Sequence, residues 1–303
     1  MEVEKFVSLA EKRNKLIPSL IETGQVHLSP RPFKQAVMRG MMRLVVSSVE
    51  VEGISNLEEA LRLSVDHALI VTSNHQSDED HALKRHILEN ISSQNGGFKQ
   101  LADRMVYPAG LKMHERRYIR MFMGAEHSVY VLTPFDIHNL RQMMRNRDLT
   151  DSQKEIVKKY WNNCVNLNKV SKEIMDNLVS QGLIVSLYPE STRTRDPQGL
   201  LQRAPKEIGS YFQDCPDGYV LPMIVTGITR TFPIAKRPQL QRSAVKMIVG
   251  KPYPVEQLLS ADLSHSIDGE RVTRADFVMV KIAALNPDLI DPKYGSLYDS
   301  LMS

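Results

Sequence analysis

The spacing of hydrophobic residues divides the chain into two patterns near residue 49. Between residues 3 and 23, apolar side chains recur every three or four positions, which predicts an amphipathic helix that Pro18 kinks or divides. A second helix is predicted over residues 33–48, where basic residues alternate with methionines. Such a helix either lies on a membrane or partner surface or packs on the main domain, and the pattern leaves both alternatives open.

Beyond residue 49, short β-branched runs alternate with helical stretches. Strands are predicted at residues 67–72, 104–109, 128–132, 183–188, 219–229 and 244–249. Helices are predicted at residues 82–92 and 116–123 and over most of 136–181. This alternation predicts an α/β fold: a mixed sheet flanked by helices, with a small N-terminal helical region. The predicted division is a helical N-terminal region over residues 1–60 and an α/β domain over residues 61–303.

Composition and charge narrow the classes of partner. The 303 residues are 42% hydrophobic and 24% charged, with a net charge of +4, which favours anionic metabolites, acidic carrier proteins or anionic membranes. No basic stripe with interleaved aromatic residues indicates nucleic acid. Cys164 and Cys215 lack metal-ligand spacing and are expected to be reduced thiols. No run of 18 apolar residues occurs and the start is unlike a signal peptide, so we expect a protein that is not transmembrane and not secreted.

The sharpest local motif is the run N-H-Q-S-D-E-D at residues 74–80, between a predicted buried strand and a predicted helix. Ligands of open α/β sheets gather beyond the carboxyl ends of strands, which is where His75 is expected. Asp80, in the first helical turn, can reach back to one ring nitrogen and leave the other to remove a proton from a hydroxyl. The alternative is purely structural, because Ser77 and Asp80 also match a helix capping box.

A second motif, Y-P-E-S-T-R-T-R at residues 188–195, also follows a predicted buried strand. Two arginines in one short loop, Arg193 and Arg195, can clasp a phosphate with charge-assisted hydrogen bonds. Glu190 can hold one arginine or receive a polyol hydroxyl. The structural alternative is a solvated basic loop.

Two further stretches are candidates for substrate contact. Lys112 and His114 lie in a short run that ends a predicted strand, where they can meet an anionic group. Pro222 and Met223 lie in an apolar strand, and a proline there predicts an edge strand or a bulge beside an apolar groove. Both stretches also have ordinary structural explanations, as surface side chains and as a core strand.

Taken in this order, the four stretches resemble the motifs of the glycerolipid acyltransferase superfamily. The His-x4-Asp motif corresponds to His75 and Asp80, and the second motif to Lys112 and Gly124. The third is similar to residues 189–193, including Thr192, and the fourth to Pro222. The resemblance covers roughly residues 50–255 and is closest to the soluble, plastid-type glycerol-3-phosphate acyltransferases.

This resemblance implies acyl transfer from acyl-carrier protein or coenzyme A to the 1-hydroxyl of glycerol 3-phosphate, the first step of glycerolipid synthesis. It implies His75 as general base, Asp80 as its orienting partner, the paired arginines and Thr192 at the substrate, and an acyl groove near Pro222. No metal or redox cofactor is required. The implied location is the cytoplasm or the plastid stroma, with peripheral contact to an anionic membrane as an open alternative.

The sequence departs from the plastid-type pattern in two places. Ser191 stands where the wider family usually has glycine. Residues 132–135 read Leu-Thr-Pro-Phe where those enzymes carry a Lys-Lys-His cluster that helps to bind phosphate. Three alternatives therefore stay open: a lysophosphatidate acyltransferase at a membrane, a non-catalytic lipid- or thioester-binding relative, and a phosphoester hydrolase.

Overall fold

The computed structural model describes residues 2–95, 97–115, 123–191, 194, 196, 199–231, 241–261, 263, 266–267 and 270–302. The strands in these residues are β1 (His27–Leu28), β2 (Val46–Glu52), β3 (Leu69–Ser73), β4 (Met105–Gly110), β5 (His127–Val131), β6 (Ile184–Leu187), β7 (Tyr219–Thr226), β8 (Ser243–Val249), β9 (Tyr253–Pro254), β10 (Ser266–Ile267) and β11 (Glu270–Arg271). The helices are α1 (Val3–Glu22), α2 (Pro32–Val45), α3 (Ile54–Asp66), α4 (Asp80–Asn95), α5 (Phe98–Arg104), α6 (Lys112–Glu115), α7 (Pro134–Met144), α8 (Asp151–Ser180), α9 (Val255–Leu259), α10 (Arg274–Ala283) and α11 (Gly295–Met302), and Lys206–Phe212 forms a 3-10 helix, η1.

Within the described part of the chain, nine strands form one sheet in the order β1-β5-β4-β6-β3-β7-β8-β2, with β9 paired to β7. The five strands from β5 to β7 are parallel, β7 and β8 are antiparallel, and β2 is parallel to β8. The central strands β3 and β6 are buried along their whole length, as expected for parallel strands covered on both faces. The predicted fold class, a mixed sheet flanked by helices with an N-terminal helical segment, is confirmed.

Two layers of helices cover the two faces of the sheet. Along β3, Ile70 faces a cluster that includes residues of α1, α8 and α10, whereas Leu69 and Val71 face a cluster that includes residues of α2 to α5. The side chains alternate because successive residues of a strand point to opposite faces. Helix α8, 30 residues long, begins at a capping box between Thr150 and Gln153 and spans the first face.

The N-terminal residues contribute directly to the sheet. The predicted second helix ends at Val45, three residues early, because Val46–Glu52 forms strand β2 beside β8. Its alternating buried and exposed positions show a period of two, which the sequence contains but the helical pattern before it obscured. The predicted boundary after residue 60 falls inside α3, and β1 and β2 both belong to the main sheet.

Pro222 does not mark an edge strand, which overturns one of the two alternatives predicted from the sequence, an edge strand or a bulge. Strand β7 lies inside the sheet, between β3 on one side and β8 and β9 on the other. The carbonyl of Pro222 accepts a hydrogen bond from Gly250 N–H, so its nitrogen faces the point where the partner of β7 changes from β9 to β8. The missing proline N–H therefore falls in a gap of the ladder.

Helix α2 carries an exposed apolar stripe. Phe33, Val37 and Leu44 are 78%, 37% and 76% exposed, whereas Met38 and Met42 are buried against the domain. Among the described helices, none combines the length and the hydropathy needed to cross a bilayer.

Candidate active site

The carboxyl ends of β3, β4 and β6 meet at the mouth of a cavity of about 380 Å³. His75 follows β3, Gly110 ends β4, and Tyr188 follows β6, and all three line this cavity. The cavity continues between the sheet and α8, so a polar mouth opens into an apolar groove. This is the edge of an α/β sheet at which ligands bind.

His75 and Asp80 are in contact at the mouth. The Nδ1 atom of His75 lies 2.9 Å from Oδ2 of Asp80. The carboxylate oxygen is an acceptor, so the neutral imidazole carries its proton on Nδ1 and presents Nε2 as a base. The His75 side chain is 17% exposed and that of Asp80 is 5% exposed, which makes the histidine the member of the pair that a ligand in the cavity meets.

Asp80 combines the two roles that the sequence left open. The same Oδ2 atom accepts hydrogen bonds from the backbone N–H groups of Gln76 and Ser77, at 2.7 and 3.0 Å. The Ser77 hydroxyl accepts from Glu79 N–H and not from Asp80 N–H, so the capping box is only partly formed. Asp80 thus fixes the loop backbone and the imidazole with one atom, and the position of His75 relative to α4 is rigidly defined.

Asn74 anchors the loop on its other side. Its side-chain amide donates to the Val225 carbonyl at 2.9 Å and accepts from Val225 N–H at 2.8 Å. An amide side chain in this pose replaces a peptide group and extends the β3–β7 ladder beyond its last backbone pair, Ser73 with Met223.

Glu190 lies beneath the His75 loop and is 2% exposed. One carboxylate oxygen accepts from His75 N–H at 2.9 Å, and the other accepts from Gln202 N–H at 2.8 Å. Burial raises the pKa of Glu190, whereas its two N–H donors lower it; because both oxygens accept N–H hydrogen bonds, the site suits the ionised carboxylate. With both oxygens bonded to backbone, this placement favours a supporting role over the predicted contact with an arginine or a polyol hydroxyl.

The two sequence motifs therefore form one unit. Besides the Glu190 contact, the N–H of Thr194 donates to the carbonyl of His75 at 2.9 Å. Ser191, at the cavity wall, has a positive φ of 52°, a conformation that glycine adopts more readily. Thr192, Arg193 and Arg195, the predicted substrate contacts of this loop, lie outside the described residues.

Two tyrosines, to which the sequence analysis assigned no role, form the aromatic side of the mouth. The Tyr188 ring stacks on the His75 imidazole with centroids 4.2 Å apart and an interplanar angle of 17°. Tyr107 stacks next to Tyr188 at 6.4 Å. Pairing of β4 with β6 and of β6 with β3 brings these rings into one row, which sequence separation conceals.

His81 is a second histidine in the cavity wall that sequence reasoning missed. Its ring packs edge-on against Tyr107 at 5.7 Å. Burial lowers the pKa of His81 to about 4, so this imidazole is neutral near pH 7. Its position directly after Asp80, on the first turn of α4, was the available sequence signal.

The predicted substrate contacts Lys112 and His114 differ in their position relative to the cavity. Lys112 is exposed and lines the cavity beside Gly110. His114 instead packs against Tyr130, with ring centroids 5.6 Å apart, and is not among the cavity-lining residues. Of these two predicted contacts for an anionic group, Lys112 is therefore the one that lies at the mouth of the cavity.

The apolar groove does not lie at Pro222 and Met223, which corrects the predicted location. Met223 is fully buried and belongs to the cluster on the opposite face of the sheet. The walls of the groove come from the other face: Ile70, Val185 and Leu187 of the sheet, Met175 and Val179 of α8, and Tyr211 of η1. The parity of side chains along β7 turns Met223 away from the groove, and no residue of β7 is among those that line the cavity.

The direction of helix α8 shows which residues of the groove lie near the mouth and which lie deeper. Asn168 accepts from Leu132 N–H, just beyond the carboxyl end of β5, whereas the C-terminus of α8 leads into the amino end of β6. Met175 and Val179 therefore lie progressively deeper from the mouth. Lys172, Asp176 and Asp214 are also part of the lining, and Lys172 pairs with Asp214 at 2.9 Å.

Comparisons with known proteins give little beyond the fold. No protein-family model matches the chain, and no curated protein matches it. Among solved structures, it is similar to the 1-acyl-sn-glycerophosphate (LPA) acyltransferase PlsC from Thermotoga maritima. The identity is 15% and the TM-score 0.42, over 94% of this chain and 97% of the other. A likeness at this level establishes nothing about activity.

Proposed function

We propose that the chain is a glycerolipid-type O-acyltransferase that moves a fatty acyl group from an acyl-carrier-protein or coenzyme A thioester to the 1-hydroxyl of glycerol 3-phosphate. The observation that carries the proposal is the His75–Asp80 contact of 2.9 Å at the mouth of an apolar cavity. A base aimed at a hydroxyl and a groove for a hydrocarbon chain are the two parts that such a reaction needs.

In this mechanism, Nε2 of His75 removes the proton of the acceptor hydroxyl as the oxygen attacks the thioester carbonyl. Asp80 stabilises the imidazolium that forms. The tetrahedral intermediate then collapses, the C–S bond breaks, and the thiolate leaves and takes up the proton from His75. No covalent acyl-enzyme is involved, because the thioester is already activated.

The groove supports a fatty acyl chain as the transferred group. Its inner walls, including Ile70, Val185 and Met175, are aliphatic, and burial of each methylene contributes about 0.8 kcal/mol. The negative charge that develops on the carbonyl oxygen would face the amino-terminal turn of α4, where the helix dipole is positive. His81, on that turn, is a neutral imidazole and adds no competing charge.

The acceptor is proposed from the basic residues near the mouth. Lys112 lies at the rim, and Arg193 and Arg195, which the resemblance assigns to the phosphate, belong to the loop that Glu190 and Thr194 tie to His75. Binding of the phosphate by these residues would hold the acceptor hydroxyl near Nε2 of His75, so that binding energy would contribute to the reaction rate.

A second candidate activity is acyl transfer to lysophosphatidate at a membrane surface. The exposed stripe Phe33, Val37 and Leu44 on α2, with Arg31 and Arg43 also exposed, favours it, because an anionic bilayer attracts an apolar stripe flanked by basic residues. Membrane contact is needed for that acceptor and not for glycerol 3-phosphate.

The test is a transfer assay with purified protein, both thioester donors and both acceptors. The proposal predicts acylated glycerol 3-phosphate, and an amount that does not depend on added vesicles. The second candidate would be established if only lysophosphatidate gives product and if the variant Phe33→Glu/Leu44→Glu loses both this product and co-sedimentation with vesicles. Donor binding without product would indicate a non-catalytic relative, and phosphate release without a donor would indicate a hydrolase.

A further inference from the structure

A lysine is completely buried beneath the mouth of the cavity. Lys84, on α4, has no exposed surface. Its Nζ donates hydrogen bonds to the hydroxyls of Ser73 and Ser186, at 3.0 and 2.8 Å. Both partners are neutral, so these bonds do not offset the cost of removing an ammonium group from water in the way that a carboxylate does.

The same Nζ lies against the aromatic rings of the site. It is 4.2 Å from the centre of the Tyr188 ring and 5.1 Å from that of Tyr107, within the range of cation–π contacts. The order of strands places Tyr188 between Tyr107 and the His75 loop. A continuous chain of contacts therefore runs from Lys84 through the Tyr188 ring to the imidazole, whose stacking distance is 4.2 Å.

Tyr188 has no other polar anchor among the described residues. Its hydroxyl is buried without a hydrogen-bond partner in the part of the chain that the structure describes. The ring is therefore held by packing, by the imidazole and by the amino group of Lys84. The position of Lys84, four residues after Asp80, puts both on one face of α4.

An apolar residue at position 84 would avoid the cost of this burial. Leu83, Ile87 and Leu88 surround Lys84 on α4 and are fully buried in the same cluster. Burial lowers the pKa of Lys84 to about 7, which reflects the unfavourable environment of its charge. An amino group buried at such a cost, in contact with the ring that supports the proposed base, points to a role in the site.

We propose that Lys84 is a positioning residue that acts through Tyr188 to fix the plane of the His75 imidazole. Asp80 fixes the ring by its edge, and the Lys84–Tyr188 pair fixes it by its face. With both restraints, Nε2 is aimed at one point in the cavity, and small errors in aim lower rates steeply. This role rests on the proposed acyl transfer, in which His75 is the base.

Four variants separate this role from a structural one. Lys84→Met keeps the length of the side chain and removes the amino group, and we expect kcat to fall roughly 10- to 100-fold with KM unchanged and a melting temperature at or above that of the wild type. Lys154→Met, at an exposed position of α8, is the matched control and should retain the wild-type kcat within about twofold. Tyr188→Leu should lose as much as Lys84→Met, and the double variant Lys84→Met/Tyr188→Leu no more than Tyr188→Leu alone.

The proposal is overturned if Lys84→Met has the wild-type kcat, or if it lowers kcat by the same factor in the Tyr188→Leu background. Equal factors would mean that Lys84 acts independently of the Tyr188 ring. A KM increase with unchanged kcat would also overturn it, because that pattern belongs to substrate binding.

A measurement without substrate distinguishes failure of this role from failure of the proposed function. NMR of protein with labelled histidines, with the His75 signal assigned by its loss in His75→Gln, reports the ring current of Tyr188. We expect upfield His75 ring protons in the wild type and in Tyr188→Phe, and movement toward ordinary values in Lys84→Met. Unchanged shifts in Lys84→Met would refute the positioning role. Absence of acyl transfer by the wild type would instead refute the proposed function, whatever the NMR result.

Discussion

The Glu190 carboxylate accepts the backbone N–H of His75 at 2.9 Å, across 115 residues of sequence. Its other oxygen accepts Gln202 N–H at 2.8 Å. This buried carboxylate holds the loop of the proposed base from below, while Asp80 and Asn74 hold it from two sides. Three polar side chains thus define the position of one imidazole.

Replacing Glu190 by Gln should damage both stability and activity. A glutamine amide has one acceptor oxygen, so its NH2 group would face an N–H donor with no bond between them. We expect the free energy of unfolding to fall by about 2 kcal/mol and kcat to fall with it. Chemical denaturation and the transfer assay measure the two effects. Glu173→Gln, on the exposed side of α8, is the control and should change neither; an unaffected Glu190→Gln would contradict the supporting role.

Asp80→Asn should remove most of the activity and little of the fold. The asparagine oxygen can still accept loop N–H groups, but the amide no longer stabilises an imidazolium or selects the tautomer with a free Nε2. We expect kcat to fall roughly 10³-fold, with a change in melting temperature of only a few degrees. Asp151→Asn, an exposed carboxylate at the start of α8, is the matched control. A rate within tenfold of the wild type would exclude Asp80 as the orienting partner.

Ser191 is strained, and glycine should relieve the strain. Its φ of 52° lies in the left-handed region, and its N–H donates to the Tyr188 carbonyl at 2.8 Å, which fixes the turn. Ser191→Gly should raise the free energy of unfolding, or leave it unchanged, because the gain of about 1 kcal/mol is partly offset by chain entropy. Ser191→Val should lower it by more than about 1 kcal/mol. Equal stability of the glycine and valine variants in urea would contradict this assignment.

The buried Lys84 predicts a pH dependence of stability. Its pKa is lowered from 10.5 to about 7 in the folded protein. Between these values the unfolded chain retains a proton that the folded protein has released, so the free energy of unfolding rises with pH by about 1.4 kcal/mol per unit. Below pH 7 both states hold the proton and the contribution is flat. The negative charges of Asp80 and Glu126 oppose the effect of burial by raising the pKa of Lys84, which narrows the pH range over which its titration changes the stability.

The comparison with Lys84→Met isolates that contribution, because all other titrating groups are shared. The stability advantage of the methionine variant should be greatest at or below pH 7 and should shrink toward pH 10. Urea unfolding at four pH values measures it. A difference that stays constant with pH would show that the lysine titrates normally.

Filling the groove should change the acyl chain that is transferred. Met175 lies on the inner wall between the mouth and Val179, so Met175→Trp shortens the accessible groove. Loss of three or four buried methylenes costs about 3 kcal/mol, and we expect the ratio of kcat/KM for short over long acyl donors to rise at least tenfold. Val165→Trp, at an exposed position of the same helix, is the control. An unchanged ratio would place the acyl chain elsewhere.

The parts of this fold that local pattern encodes could be predicted from the sequence, and those set by distant pairing could not. Strand β3 and the Asp80 contact with His75 lie within a dozen residues of each other, so period and spacing suffice. The first three residues of β2 were assigned to the preceding helix and the rest to no strand, because its partner β8 is some 200 residues away in the sequence. The Glu190 and Lys84 contacts depend on β6 lying beside β3, and Pro222 is accommodated where β9 gives way to β8. None of these strand pairings can be recognised from the local pattern of the sequence.

The most direct measurement is the single-turnover transfer of a radiolabelled acyl group from its thioester to glycerol 3-phosphate by the wild type and by His75→Gln. We expect acylated glycerol 3-phosphate from the wild type and a rate at least 10³-fold lower from the variant, with equal melting temperatures. A variant that transfers the acyl group within tenfold of the wild-type rate would contradict the assignment of His75 as the base.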